Sequence, residues 1–323
     1  MKMSQGGSRE PKTVRRDETF NSPPPPPARD PRNAFTLIEV MVVVTLLSLI
    51  VLALMAVFNS TQRAFRASIT QTDVLEGGRA TMDLITADLR AMSPSSGVSN
   101  NLANGNSVVA NVLSGLVPVN FYVSTNYNEQ PLVQSLVASS QQRTNVLENF
   151  FILSRNNQTW TGTGYVVDPT STNFLNPLYR FSMSINVQAA SPASLFTNFL
   201  DSPLTGPGWS HLMDGVVHLT VRAYDTNGVW MTNGYVNPQN AVIRNVVFQP
   251  STLGEVGFYM LSNTLPVSVE IQLGALEDRT LQRAGTWANN SSAQNSYLAG
   301  QSGNLHIFRQ RVTISNVDPT AYQ

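Results

Sequence analysis

The stretch Asn33-Ala34-Phe35-Thr36-Leu37-Ile38-Glu39-Val40-Met41 opens an almost unbroken apolar run that ends at Phe58. From Val40 to Phe58 only Thr45 and Ser48 carry polar side chains. At 1.5 Å per residue such a run covers about 28 Å, close to the roughly 30 Å hydrocarbon core of a bilayer. It is too long for the apolar core of a secretory signal. Asn59-Ser60-Thr61-Gln62-Arg63 behind it reads as a polar helix continuation, with no small-residue cleavage site. The segment predicts a membrane helix that stays with the mature chain.

Working outward, residues 1–34 form a basic, proline-rich leader. Lys2, Arg9, Lys12, Arg15, Arg16, Arg29 and Arg32 outnumber Glu10, Asp17, Glu18 and Asp30, and Pro23 to Pro27 is a run that cannot be helical. Excess positive charge before a span predicts a cytoplasmic N-terminus. On the other side, Phe65, Ile69, Leu75, Met82, Ile85 and Leu89 recur mostly at spacings of three, four and seven, an amphipathic stripe. One helix from about 36 to 92 is expected, with 35–58 in lipid and 59–93 as the spine of a soluble domain. Gly77-Gly78 interrupts the stripe and marks either a kink or the close approach of another element. Pro94 ends it.

Residues 94–323 read as short strands between turn signals. Val108–Leu113, Val117–Val123, Phe150–Leu153 and Tyr165–Val167 are predicted strands within an Asn/Ser-rich, partly irregular insertion at about 95–178, and Tyr179–Val187 is a predicted strand after it. Asp214–Tyr224 is the clearest strand, in which Val217, Leu219, Val221 and Ala223 share one face. Asp225-Thr226-Asn227-Gly228 predicts a tight turn with positive φ at Asn-Gly, and Val229-Trp230-Met231 a return strand. Pro266–Leu273 alternates as a half-buried strand with proline at its first position. Residues 275–304 are expected as a polar loop with a short helix near Leu276–Gln282, followed by a last strand at about Leu305–Ile314. Strands following one long helix give an α+β class, a helix packed on an antiparallel sheet.

Composition narrows function. The 323 residues carry a formal net charge of zero, and charged residues are only 12%, about half the roughly 25% usual for soluble domains. Asn, Ser, Thr and Gln replace them, which suits an extracytoplasmic β-rich protein. No nucleic-acid partner is indicated. The absence of cysteine excludes disulfides, zinc–thiolate sites and cysteine nucleophiles. His211, His218 and His306 are scattered, and Asp225–Gly228 lacks the later bidentate Glu of a calcium loop. No nucleophile elbow, His-Glu-x-x-His or phosphate loop occurs. An enzyme, a metal, a cofactor or a small-molecule substrate therefore has no support here. Trp160, Trp209, Trp230 and Trp287 are read as packing or loop anchors rather than a sugar platform.

The remaining oddity is an acid, Glu39, at the mouth of the span. An acid in a membrane helix costs about 2.5–3.5 kcal/mol on insertion scales, so it needs a partner. Arg32 supplies one if the chain is uncut. If the bond after Ala34 is cut, Phe35 gains an α-amino group able to pair with Glu39 of its own chain or of a neighbour. Such a pair within lipid would fix the stagger between adjacent helices.

Ala34-Phe35-Thr36-Leu37-Ile38-Glu39-Val40 resembles the N-terminal cleavage and methylation signal of type IV prepilins and type II secretion pseudopilins. The resemblance implies that a prepilin peptidase, an aspartyl enzyme of the membrane, cuts before Phe35 and methylates its new amine. It carries the family's assembly acid onto Glu39. The residue before the cut is usually glycine in that family and is Ala34 here. Arg79–Arg90, the Asp214–Val216 strand, the Tyr224–Trp230 hairpin and Leu265–Val269 are similar, loosely, to the minor pseudopilin J and pilus-assembly W group. The implied protein is a structural subunit of a short periplasmic filament, whose partners are the peptidase, other pilin-like subunits and inner-membrane lipid. The different class kept beside it is an unprocessed, signal-anchored extracytoplasmic binding domain, with carbohydrate as the candidate ligand.

Overall fold

Helix α1 (Leu37–Arg90) is a single element of 54 residues, matching the expected span-plus-spine. The computed structural model describes residues 35–96, 105–125, 131–136, 141–171, 175–232, 245–251, 253–287 and 290–322. The leader over 1–34, with Ala34, lies outside the described residues, as do parts of the 95–178 stretch. The chain divides into two units, 1–61 and 62–323.

In the first unit, every large apolar side chain from Phe35 to Phe58 is exposed, as a lipid-facing helix requires. The two polar side chains of the span are paired within it. Thr45 Oγ1 donates to the Val42 carbonyl at 2.9 Å, and Ser48 Oγ to that of Val44 at 2.8 Å. Neither hydroxyl is left unmatched in hydrocarbon.

The second unit follows α1 with α2 (Gly105–Leu113), β1 (Val119–Thr125), β2 (Leu132–Ser135), β3 (Gln142–Asn145), β4 (Glu148–Asn156), β5 (Thr159–Val167), β6 (Leu178–Asn186) and α3 (Ala193–Asp201). It continues with β7 (Trp209–Met213), β8 (Val216–Tyr224), β9 (Val246–Pro250), β10 (Val256–Leu261), β11 (Ser268–Leu276), α4 (Asp278–Gly285), α5 (Ser291–Ala299) and β12 (Leu305–Thr313). A seven-stranded antiparallel sheet has the order β7-β6-β5-β4-β1-β10-β9. A three-stranded sheet has the order β12-β11-β8, and β2 pairs with β3. This is the α+β class expected.

Alternation along the large sheet creates two cores. Phe121, Phe150, Ile152, Tyr165 and Phe258 pack with Met82, Ile85 and Leu89 of α1 and with Leu219, Val221 and Ile271 of the small sheet. The intervening Tyr122, Phe151, Leu153 and Tyr259 pack with Val112 of α2 and Leu195, Phe196 and Phe199 of α3. The large sheet is therefore covered on both faces. Trp160 is buried in the second cluster.

Several expectations are corrected. Val108–Leu113, expected as a strand, belongs to α2. Val109 and Val112 stand one helical turn apart against the α3 cluster, and burial of that face outweighs the weak helix preference of β-branched residues. By contrast, the strands expected at Val117–Val123, Phe150–Leu153 and Tyr165–Val167 are present, in β1, β4 and β5, and lie in the middle of the large sheet. In the stripe on α1, Phe65 and Ile69 are 65% and 58% exposed, because burial along α1 begins only at Val74.

The strand expected from Pro266 starts at Ser268 and is buried almost throughout rather than half-buried. It is the central strand of its sheet, and long side chains from its neighbours cover its second face. Arg309 on β12 bonds to Glu270 at 2.9 Å, and Arg311 to Ser268 at 2.9 Å. The turn after β8 has positive φ at Gly228 alone (+75°). There Asp225 Oδ1 accepts from the Asn227 and Val229 amides at 2.9 and 2.7 Å. The return is a single bridge, Tyr224 to Trp230, not a strand. Residues 275–304 hold α4 and α5 rather than a loop with one short helix. The signal for α5 was Asn290, whose side chain caps it by accepting from the Ala293 amide at 3.1 Å.

Candidate assembly site at the helix start

The start of α1 is organised by Thr36 and Glu39. Thr36 precedes the first helical residue, and its carbonyl accepts from the Val40 amide at 3.2 Å. Its hydroxyl oxygen accepts from the Glu39 amide at 3.3 Å, while Glu39 Oε2 accepts from the Thr36 amide and hydroxyl, both at 3.0 Å. This reciprocal pattern is a capping box, in which cap and third helical residue satisfy each other's orphan donors. Thr36, which caps the helix, was not singled out in the sequence. The Thr-x-x-Glu spacing before an apolar run was the signal.

Phe35 is 84% exposed at the entry, and Glu39 is exposed as well. Ala34 lies outside the described residues. Glu39 Oε1 has no hydrogen-bond partner among the described residues, since every bond to this carboxylate goes to Oε2. One oxygen thus orders the helix start and the other remains open to a cation.

Within the second unit, side chains fasten the C-terminal part of α1 to the β elements. Asp88 accepts from Arg180 Nε at 2.9 Å and Nη2 at 3.1 Å, and from the Tyr165 hydroxyl at 2.5 Å. Burial pushes the Tyr165 phenol up, and the adjacent Asp88 carboxylate adds to that. Gly78 is the point of close approach: a Cβ there would lie 2.2 Å from the Phe308 ring on β12. Gly77, facing away, meets nothing within 4 Å.

The other weighed residues serve structure. His211 pairs with Asp214 at 2.8 Å and His306 with Glu277 at 3.0 Å. His218 is buried and accepts from the Val146 amide at 3.3 Å. Burial, then the charges of Arg143 and Arg222, lower it to about 4. Among the described residues no three His, Cys, Asp or Glu side chains group as metal ligands.

Glu148 was not anticipated. It is fully buried at the start of β4, and its Oε2 accepts from the Val221 amide of β8 at 2.6 Å. The neighbouring Leu219 amide donates to the Val146 carbonyl at 2.9 Å. The edge of β8 is thereby closed by the β3–β4 junction, which protects it from strand addition. Burial holds the Glu148 carboxyl well above its ordinary value against the opposing Val221 amide, with Glu255 adding to the rise.

No curated protein matches the chain. Residues 29–55, which include Phe35, Thr36 and Glu39, match the family model of the prokaryotic N-terminal methylation motif, and this match supports the type IV pilin and pseudopilin class.

Proposed function

We propose that the chain is a pilin-like structural subunit of the minor pseudopilin type, and not an enzyme. In this reading a prepilin peptidase removes residues 1–34 by cutting between Ala34 and Phe35, and Phe35 is N-methylated. The subunit is inserted in the inner membrane with its N-terminus cytoplasmic and its C-terminal domain periplasmic. It then joins other pilin-like subunits in a short filament serving protein secretion or pilus assembly. The loose likeness to pseudopilin J and the pilus-assembly W group favours a minor position, and the length of the chain agrees with it.

The observation that carries the reading is the methylation-motif match over residues 29–55, which lies across the cut and the acid together. The capping box adds a mechanism. The amine freed at Phe35 adjoins Thr36, whose amide already contacts Glu39 Oε2 at 3.0 Å. The open Oε1 is then available to the charged terminus of a neighbouring subunit. In lipid neither charge is cheaply left alone, so the pair would set the axial stagger.

N-terminal sequencing and intact mass of the membrane-extracted protein test the cut. A chain beginning with methylated Phe35 is expected. A chain retaining Met1, or one cut beyond Phe58, overturns the reading.

A further inference from the structure

Four strands stand at the outer edges of the two larger sheets, and three of them are blunted. β7 and β9 have five residues each; β7 meets β6 with a shift of register, and β9 ends in Pro250. The open side of β8 is closed where its Leu219 and Val221 amides donate to the Val146 carbonyl and to Glu148. β12 is different. It runs for nine residues, contains no proline, and pairs with β11 from Leu305 to Thr313 without a bulge.

The Glu277 amide donates to the Asn304 carbonyl at 3.0 Å, and the Ile314 amide to the Val267 carbonyl at 2.9 Å. With the register between them unbroken, the ladder to β11 uses the even-numbered residues of β12. In an antiparallel ladder the intervening residues turn their N–H and C=O groups the other way. Those of Leu305, Ile307, Arg309, Arg311 and Thr313 therefore face outward, and none has a hydrogen-bond partner among the described residues. A long, unbulged edge of this kind is a template for another strand.

The side chains along the edge carry charge of one sign. β12 holds Arg309 and Arg311 and no acid. Arg309 is 62% exposed although one Nη2 bond reaches Glu270. Arg311 is exposed, donates to Ser268 Oγ at 2.9 Å and lies 3.9 Å from the centre of the Tyr224 ring, with no carboxylate partner among the described residues. On the other face of the edge an open groove of about 220 Å³ lies between Arg79, Met82 and Asp83 of α1 and Phe308, Arg309 and Gln310 of β12.

We propose that the free edge of β12 receives an extended segment of a partner protein as a fourth strand of the small sheet, with alternate residues acidic. Main-chain bonds to Ile307, Arg309 and Arg311 supply the attachment, and the side chains of every second residue supply the selection. One set of partner side chains lies beside Arg309 and Arg311, where carboxylates pair with guanidinium groups. The other set faces the groove, where Phe308 and Met82 suit small apolar side chains. A second copy of the chain fits less well. Pairing β12 with itself antiparallel brings the arginines of both copies onto one face, and like charges across a sheet repel. The proposal stands apart from the processing of Phe35. An uncut N-terminus would leave it intact, and loss of strand addition would leave the cut intact.

Fluorescence anisotropy and amide hydrogen exchange on the full chain in detergent test the edge. The probe is a labelled synthetic peptide of alternating Val and Glu, matching the nine-residue length of β12. The control peptide has Lys in place of Glu. The acidic peptide is expected to bind and to slow exchange at the Ile307, Arg309 and Arg311 amides at least about tenfold. Arg311→Glu, a change at an exposed side chain, should weaken its binding by about tenfold and turn the preference towards the Lys peptide. Ile307→Pro removes one outward N–H without taking a bond from the β11 ladder, and should weaken binding as well. No binding up to ~1 mM peptide, equal binding of the Lys peptide, unchanged exchange at those three amides, or indifference to Arg311→Glu would each overturn the proposal. A dimer of the chain alone that Ile307→Pro dissolves would assign the edge to a second copy, and would overturn it too.

Discussion

Asp88 of α1 and Arg180 of β6 form a two-pronged ion pair across 92 residues of chain, with Nε–Oδ2 at 2.9 Å and Nη2–Oδ1 at 3.1 Å. Their side chains are only 17% and 22% exposed. An acid in the last turn of a helix is unfavourable beside the carbonyl end of the dipole, so Asp88 depends on Arg180 and Tyr165 for compensation.

Asp88→Ala should therefore destabilise the protein by about 1–3 kcal/mol, the range for hydrogen bonds to charged groups at a partly screened site. Arg180→Met in the same chain should recover part of that loss, because it removes the stranded cation. Urea denaturation of the single and double variants checks both. Equal stability of Asp88→Ala and the parent would show that the pair contributes nothing.

Glu148 predicts a pH dependence. Its folded value is raised by burial, so its neutral form favours the fold. That stabilisation is fully present below the ordinary carboxylate value and is lost as pH rises through the raised folded value. Glu148→Gln keeps an acceptor for the Val221 amide and cannot ionise. Its stability should fall less with rising pH than the parent's, as read from melting temperatures across the range. Parallel profiles would refute the assignment.

The adjacent glycines of α1 should respond in opposite directions. Gly77→Ala meets nothing within 4 Å and should stabilise the helix by about 1 kcal/mol. Gly78→Ala would drive a methyl group into the Phe308 ring and should destabilise by about 1–3 kcal/mol. Phe308→Leu should relieve the second effect. Thermal unfolding of the variants distinguishes them.

At the helix start, Thr36→Val should remove the cap while Thr36→Ser retains it. Under the proposed function, Glu39→Ala or Glu39→Val should insert normally in the membrane yet fail to co-assemble with other pilin-like subunits. Membrane fractionation followed by co-purification of sheared filaments measures both steps. Normal co-assembly of the Glu39 variants would remove the role given to charge pairing.

The sequence by itself determined the features whose cause is local. An apolar run from Val40 to Phe58 is a membrane-length helix whatever follows it, because hydrogen bonds within the segment satisfy its backbone. The Thr36–Glu39 box, the spacing of Met82, Ile85 and Leu89, and the glycine turn at Gly228 likewise depend on neighbours a few residues away. Only the tertiary structure decided the rest. Whether the valines of 108–113 formed a strand or a helix depended on α3 arriving to cover one face. Whether β11 was half-buried or buried depended on Arg309 and Arg311 lying across it. The partners of Asp88, Gly78 and Glu148 come from 73 to 230 residues away in the chain, as the numbers of Val221, Arg180 and Phe308 show. Periodicity declares that a residue has an inward face, but packing alone chooses what that face meets.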